Sequence, residues 1–346
     1  MNIFFKTFLK VFASLLTIVA FFLVLFGFLS FIGSNKTNSQ FTFIKGNQSS
    51  ENKIAILKLQ GPIVSDSINI NNIAYFQIIN PEKIRKKLES LKKLQPKILI
   101  ISINSPGGTV AASYEIYEMV KKFKEKYNFK LYFHTNETLA SGAYWFALSG
   151  DAIYASYGSL IGSIGVKGPD WIYFDKPISM SSGIFGNAIE TENGIKVYSQ
   201  NAGKSKDMLN PFRQPTKDEL QNIQLLINDI YDDFVNLVSK KRKIEVNIIK
   251  NKIGALIYNS AHAKNNYLID GEMNLNSLIN KIVDKNKFDN YQILESSNIN
   301  ASFFEKYFLQ IFSNQKLDKK IMINNLICKN LSINISSIIP NYLSSC

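Results

Sequence analysis

Cysteine and histidine are both scarce in this chain. Its two cysteines are Cys328 and Cys346, near the C-terminus, and its two histidines are His134 and His262. The cysteines can pair in an oxidising compartment, since their spacing does not forbid it. Neither histidine has acidic or cysteine partners at metal-ligand spacing, so we expect neither a metal site nor a cofactor.

Acidic residues are also few. The chain has 27 Asp and Glu against 40 Lys and Arg, a formal net charge of +13, which is compatible with a nucleic-acid partner or an anionic membrane. The lysines are scattered among Asn and Ile residues instead of forming a basic stripe interleaved with aromatics, which argues against nucleic acid. The cluster Lys240-Lys241-Arg242-Lys243 falls where a helix should end, and cations are favoured at that pole.

Charge is absent from residues 11–33, VFASLLTIVAFFLVLFGFLSFIG. As a helix this run would span about 34 Å, enough to cross a bilayer core. It is longer than a typical signal-peptide core, and no clean small-x-small cleavage site follows it. We therefore predict that residues 1–33 are a short tail and a transmembrane anchor in the inner (plasma) membrane. The lysine bias slightly favours a cytoplasmic N-terminus, with the globular part on the non-cytoplasmic, periplasmic side.

The rest of the chain divides by composition. Residues 34–51 are rich in Asn, Ser, Thr and Gly and predict a linker. Residues 52–285 alternate apolar strand-like runs with amphipathic helical segments, which predicts one α/β domain with a parallel sheet and crossover helices. Residues 286–346 are rich in Asn, Ser and Ile and form a C-terminal extension of unassigned role.

Local signals place several elements of that domain. Asn80-Pro81 opens a helix as cap and first-turn residue, and Thr216 with Glu219 forms a capping box for a helix over 216–243. Strands are predicted at residues 53–59, 98–103 and 130–133, and broken strand-like structure over 152–166.

Two strand-to-helix turns carry the chemistry. Ser141 stands at one, and Gly107-Gly108 stands at the other. A serine nucleophile and bare backbone amides for a developing oxyanion are what acyl transfer requires. Taken singly, each turn is also typical of an ordinary loop in an α/β sheet.

A serine hydroxyl needs a base to take its proton. The histidines are poorly placed for this, and we expect a structural or solvated role for each of His134 and His262. A lysine is the better candidate, provided that it is buried against apolar surface and so held neutral. From spacing alone, Lys204 and Lys206 are equal candidates for this base.

Four segments, in order, resemble the signal peptide peptidase A family: residues 103–110 (INSPGGTV), 140–144 (ASGAY), 158–166 (GSLIGSIGV) and 203–207 (GKSKD). This resemblance covers about residues 52–285. It implies the fold shared by Clp protease and crotonase, and membrane-anchored Ser–Lys peptidase activity in the short one-domain form.

The resemblance also assigns roles. It implies Ser141 as nucleophile, Lys206 rather than Lys204 as general base, Gly107, Gly108 and Gly142 as the oxyanion hole, and Ser163 as a residue that orients the lysine. It further implies cleaved signal peptides and other hydrophobic peptides as substrates, and a homo-oligomer in which neighbouring subunits share the dyad.

Three positions depart from the family pattern. Ala143 replaces a second glycine after the serine, Trp145 is bulkier than usual, and Tyr267 stands where a glycine suits a positive φ. We expect Asn265 or Asn266 to take that conformation instead. These departures keep open a rival, a catalytically inactive membrane-tethered scaffold of the same fold. A thioester enzyme acting on acyl-CoA is disfavoured by the anchor. Such enzymes usually need acid/base carboxylates in the pocket, and Glu137 is the only acidic residue close before Ser141.

Overall fold

The structure is a computed structural model that describes residues 2–34, 41–65, 77–171, 173, 200–211 and 213–296. The chain separates into two units, Met1–Gln40 and Phe41–Cys346. Cys328, Cys346 and most of the predicted C-terminal extension lie outside the described residues.

The first unit is built on one helix, α1 (Asn2–Ser34). Its segment Ile3–Phe22 is 20 residues long with a mean hydropathy of 1.9, long and apolar enough to cross a membrane. A signal sequence near an N-terminus meets the same criterion of length and composition. The helix thus agrees with the predicted apolar segment at the chain start.

The second unit is a mixed α/β domain. Its described strands are β1 (Phe41–Gly46), β2 (Lys53–Gln60), β3 (Ile98–Asn104), β4 (Lys130–Thr135), β5 (Thr138–Ala140), β6 (Ala152–Ala155), β7 (Leu160–Gly162), β8 (Ile257–Asn259), β9 (Gly271–Glu272) and β10 (Gln292–Ser296). Its described helices are α2 (Pro81–Leu94), α3 (Val110–Tyr127), α4 (Gly142–Ala147), α5 (Lys217–Arg242), α6 (Val246–Ile248), α7 (Ser260–Asn265) and α8 (Leu275–Lys285), with a π-helical turn at Ile249–Ile253.

Seven strands form the main sheet in the order β1-β10-β2-β3-β4-β6-β9. All neighbours are parallel except β1 and β10, which are antiparallel. The apolar run of β3 is buried from Ile98 to Ile103, as expected of a strand covered on both faces. The predicted fold class, an α/β domain with a parallel sheet and crossover helices, is confirmed.

Helices cover both faces of the sheet. The apolar faces of α2 and α3 pack in one core with Leu57, Leu99 and Ile101. The α8 residues Leu278 and Ile282 pack in a second core with Ile54, Ile98 and Ile100. Because neighbouring strand residues point to opposite faces, β2 and β3 contribute to both cores.

Local capping chemistry fixes the helix starts as predicted. The Asn80 side chain accepts a hydrogen bond from the Lys83 amide at 2.8 Å. Thr216 and Glu219 form both halves of the capping box at the start of α5. These bonds satisfy amides that a helix N-terminus leaves without partners.

The predicted domain boundaries differ from the structure at both ends. Residues assigned to the linker form β1, and residues assigned to the C-terminal extension form β10. Phe41, Ile293 and Leu294 are all buried, and β10 pairs in parallel with β2. Strand pairing between segments about 250 residues apart has no signature in the local sequence. The polar composition around β1 and β10 therefore predicted a linker and an extension instead of strands.

A second sheet of three strands, in the order β5-β7-β8, lies outside the main sheet. β5 and β7 are parallel and place Ala140 opposite Gly162. The residues that follow this pair are Ser141 and Ser163, so the small sheet brings two predicted site residues side by side.

Candidate active site

Ser141 occupies a sharp turn between β5 and α4. Its backbone has φ 53° and ψ −127°, a conformation that residues with a side chain rarely adopt. The Ser141 amide donates a hydrogen bond to the Gly162 carbonyl oxygen at 2.9 Å, and the Ser141 carbonyl accepts from Trp145 at 3.0 Å. The strained turn is therefore held on both sides by backbone hydrogen bonds.

The Gly107–Gly108 loop, between β3 and α3, lies against this turn. Ser105 joins the two segments, because its amide donates to the Thr138 carbonyl at 2.8 Å and its carbonyl accepts from the Ala140 amide at 3.2 Å. Gly107 has φ +99°, and a Cβ atom added there would lie 2.8 Å from the Ser141 Cβ. Glycine at 107 is thus required by both conformation and space.

Two amides beside Ser141 have no acceptor within the described part of the chain. They belong to Gly108 and Gly142. A Cβ atom built on Gly142 would lie 3.4 Å from the Gly108 nitrogen, so the two residues are close neighbours. The Gly107 amide instead donates to Ser105 Oγ at 3.1 Å. Of the three predicted glycines, Gly108 and Gly142 have amides free for an oxyanion.

Ser163 follows β7 and also has a positive φ, 52°. Its amide donates to the Leu256 carbonyl at 2.8 Å, and its carbonyl accepts from Gly165 at 2.9 Å. The half-buried Ser163 is therefore fixed next to Ser141 by β7.

Lys206 forms no hydrogen bond with this group in the described part of the chain. It belongs to the turn over residues 203–209, it is exposed, and its side chain forms no ion pair or hydrogen bond with any described residue. Lys204 is held by Asp218 at 2.8 Å, and this hydrogen bond raises the pKa of the Lys204 amine. Lys204 is thus paired with a carboxylate, whereas Lys206 has no such partner among the described residues.

Arg213, which the sequence prediction missed, anchors the Lys206 turn. Its guanidinium binds both oxygens of Asp207 at 2.7 and 2.8 Å and both oxygens of Glu219 at 2.9 and 2.7 Å. The only signal in the sequence is the presence of acidic residues six positions before and after Arg213. That spacing matches neither a helix nor a strand period.

The histidines agree with the expectation of a structural or solvated role for each. His134 is buried in β4, and its Nε2 atom lies 3.0 Å from the Met273 carbonyl oxygen. Burial lowers the pKa of His134, and the Met273 contact partly opposes this. His262 is exposed on α7. Neither is in hydrogen-bond contact with Ser141.

The departures from the family pattern are accommodated. Ala143 is fully buried, and Trp145 stacks on Phe234 of α5 with 4.5 Å between ring centroids. Tyr267 itself takes the positive φ, 60°, whereas Asn266 has φ −86°. The expectation that an asparagine would take this conformation is therefore wrong. The Tyr267 carbonyl accepts a hydrogen bond from Arg242 Nε at 2.7 Å, which holds the turn.

Several known proteins are similar to this chain. The sequence profile described as peptidase family S49 matches residues 124–289. A putative signal peptide peptidase SppA from Enterococcus faecium is 28% identical, over 79% of this chain and 74% of that protein. A putative protease from Methanocaldococcus jannaschii is 31% identical over 58% of this chain, which spans only 59% of that relative.

Among solved structures, the fold is similar to a mutant of the 1510-N membrane-bound stomatin-specific protease in complex with a substrate peptide. That match has a TM-score of 0.43 and 14% identity, and it covers 76% of this chain and 98% of the other. The family profile includes Ser141 and Lys206, and the protease-named relatives support peptidase activity. Over residues 124–289, the chain is therefore similar to peptidase family S49.

Proposed function

We propose that this protein is a membrane-anchored serine endopeptidase with Ser141 as nucleophile and Lys206 as general base. Its substrates are cleaved signal peptides and other hydrophobic peptides. One observation carries the proposal: the strained turn at Ser141 lies beside the free amides of Gly108 and Gly142. A nucleophile next to paired donors is the arrangement that stabilises a tetrahedral oxyanion.

The proposed reaction begins when the neutral amine of Lys206 takes the proton of the Ser141 hydroxyl as the oxygen attacks a peptide carbonyl. The Gly108 and Gly142 amides then bind the carbonyl oxygen as it becomes negative. The lysine returns its proton to the leaving amine, and an acyl-enzyme forms. A water molecule, deprotonated by the same lysine, attacks the ester. The bond between the acyl carbon and Ser141 Oγ breaks, the lysine returns the proton to that oxygen, and the second product leaves.

The exposure of Lys206 in a single chain bears on assembly. A lysine that acts as a general base must be shielded from water, and Lys206 is exposed in the single chain. We propose that Lys206 becomes buried only when a second copy covers it, so that the dyad is shared between neighbouring subunits of a homo-oligomer. We further propose that α1 anchors the assembly in the plasma membrane, with the peptidase domain on the periplasmic side.

The same exposure favours the second candidate, a scaffold that retains the fold without activity. The two candidates differ in a single measurement. A fluorophosphonate probe labels an activated serine but not an ordinary one. In the assembled wild-type protein, we expect labelling at Ser141 and cleavage of a hydrophobic reporter peptide. Absence of both would favour the scaffold.

Three variants complete the test. Ser141→Ala and Lys206→Met should each abolish cleavage of the reporter peptide in the detergent-solubilised full chain. Lys204→Met is the matched control, since Lys204 lies two residues from Lys206 but pairs with Asp218. It should retain activity. Turnover retained by Ser141→Ala or Lys206→Met would refute the proposed dyad.

A further inference from the structure

Arg213 and two carboxylates form the strongest polar cluster in the described part of the chain outside the Ser141 turn. The guanidinium makes four hydrogen bonds of 2.7–2.9 Å with Asp207 and Glu219. It also lies 5.3 Å from the centroid of the Trp171 ring. Such two-point pairing fixes both the position and the direction of each carboxylate.

The cluster connects the Lys206 turn to the start of α5. Glu219 is buried at 3% exposure, and its carboxylate also accepts from the Thr216 amide at 2.8 Å as part of the capping box. The start of α5 fixes the position of Glu219. Glu219 in turn fixes Arg213, and Arg213 fixes Asp207. Lys206 is the residue directly before Asp207.

Asp207 is therefore the carboxylate nearest in sequence to the proposed base. An opposite charge within a few ångströms favours the ammonium form of a lysine. If Asp207 were free, its side chain could pair with Lys206 and hold the proton that Lys206 must lose. In the structure both oxygens of Asp207 are bound to Arg213. The same hydrogen bonds lower the pKa of Asp207, which favours its anionic form paired with Arg213.

Among the described residues, further charged groups close to this turn in sequence are also paired. Lys204 and Asp218 bind each other, and Glu219 binds Arg213. The N-terminus of α5 carries a partial positive charge that favours Asp218 and Glu219 as anions. With Arg213 in place, the cluster of Arg213, Asp207 and Glu219 has one net negative charge. Without it, the cluster has two.

We propose that Arg213 is a positioning residue that binds Asp207 away from Lys206 and lowers the negative potential at the Lys206 amine, so that this amine can act as a base. This inference rests on the proposed Ser141–Lys206 dyad. By geometry alone, Arg213 and Asp207 form an ion pair. The inference adds that this pair affects the protonation of Lys206.

The test is the pH dependence of kcat/KM for a hydrophobic reporter peptide, measured on the assembled full chain in detergent. Activity increases with pH as the base loses its proton, which gives an acid limb. Arg213→Gln leaves Asp207 unpaired and should move the midpoint of that limb up by about 0.5–1 pH unit. Asp207→Asn removes the negative charge and should move it down.

The double variant Arg213→Gln/Asp207→Asn should bring the midpoint back towards that of the wild type. Arg213→Lys keeps the charge without the two-point geometry, so it should shift the midpoint less than Arg213→Gln. The matched control is Arg85→Gln, because Arg85 also bridges two carboxylates, Glu82 and Glu115, but on α2 and α3. It should leave the midpoint unchanged.

If Arg213 had a purely structural role, its variants would lose activity, but Arg213→Gln and Asp207→Asn would not shift the midpoint of the acid limb in opposite directions. If Arg213→Gln does not assemble, the test rests on Asp207→Asn alone. An Asp207→Asn variant with the wild-type midpoint of the acid limb overturns the inference. Lys206→Met is measured in the same series. Activity retained by Lys206→Met would overturn the dyad and this inference with it, whereas an inactive Lys206→Met with unmoved limbs overturns only the role of Arg213.

Discussion

Gly107 and Ser141 approach so closely that a side chain at position 107 would displace the serine. A Cβ atom there would lie 2.8 Å from the Ser141 Cβ and 2.7 Å from the Gly142 nitrogen. Both are below the separation that real Cβ atoms tolerate, and neither contact involves the end of a flexible side chain. Gly107→Ala must therefore move the loop or the Ser141 turn.

We expect Gly107→Ala to lose fluorophosphonate labelling and to lower kcat by at least about 100-fold, because the nucleophile and an oxyanion donor shift together. The control is Gly158→Ala. Gly158 also has a positive φ, 78°, but a Cβ added there meets nothing within 4 Å. It should lower thermal stability through backbone strain while leaving labelling intact. Equal labelling of both variants would contradict this account.

The shared dyad predicts complementation between inactive variants. Ser141→Ala subunits retain Lys206, and Lys206→Met subunits retain Ser141. In mixed oligomers formed by co-expression, random assortment should rebuild about a quarter of the sites. Cleavage of the reporter peptide should return to that level in the mixture, although each variant alone is inactive.

Subunits assembled separately and mixed without exchange provide the control and should remain inactive. A dyad formed within one chain gives no activity in either mixture, so an inactive co-expressed sample would exclude sharing between subunits.

Short-range signals account for what the sequence predicted. The Asn80 cap, the Thr216 capping box and the apolar β3 depend on neighbours within a few residues, and all three are as predicted. Ser141 and Gly107-Gly108 were found because both stand at turns directly after strands. An isolated parallel bridge between Ser105 and Leu139 then brings those turns together.

What the sequence did not predict depends on distant partners. The pairing of β1 with β10 joins the two ends of the domain. Arg213 gains its role from Asp207 and Glu219 only once α5 is folded. The exposure of Lys206 could not be predicted either, because burial is a property of the packed chain.

His134 predicts a pH dependence of stability. Carbonyl oxygens only accept hydrogen bonds, so Nε2 must donate to Met273, and the buried Nδ1 has no partner among described residues. Protonation would therefore place a charge and an unpaired N–H in the core. The pKa of His134 is lowered by this burial. Its contribution to the free energy of unfolding is complete above the unfolded pKa of about 6.5 and falls as pH decreases.

Below that pH, the contribution should decrease by up to about 1.4 kcal/mol per pH unit. The free energy of unfolding of the wild type and of His134→Gln is measured by urea unfolding from pH 7.5 to pH 5. The difference between the two slopes of this free energy against pH gives the contribution of His134. The glutamine amide can still donate to Met273. His262→Gln should keep the wild-type slope, since His262 is exposed. Identical slopes for wild type and His134→Gln would contradict the prediction.

Tyr267 predicts a stabilising substitution. Its φ of 60° is unfavourable for a residue with a Cβ atom, and its side chain is 70% exposed, so few contacts compensate. Arg242 holds the turn by donating to the Tyr267 carbonyl and, at 2.8 Å, to Asp270 Oδ2. These bonds involve backbone and neighbouring atoms, so they remain when the tyrosine side chain is removed.

Tyr267→Gly should therefore raise the free energy of unfolding by about 0.5–1 kcal/mol, because glycine adopts this conformation without strain and loses only part of that gain to its more flexible unfolded state. Tyr267→Ala is the matched control, since it removes the ring but keeps the Cβ atom that causes the strain. In thermal unfolding, the glycine variant should melt above the alanine variant. An alanine variant as stable as the glycine variant would place the cost in the exposed ring rather than in the backbone, and would show that the Arg242 contacts hold this turn without strain.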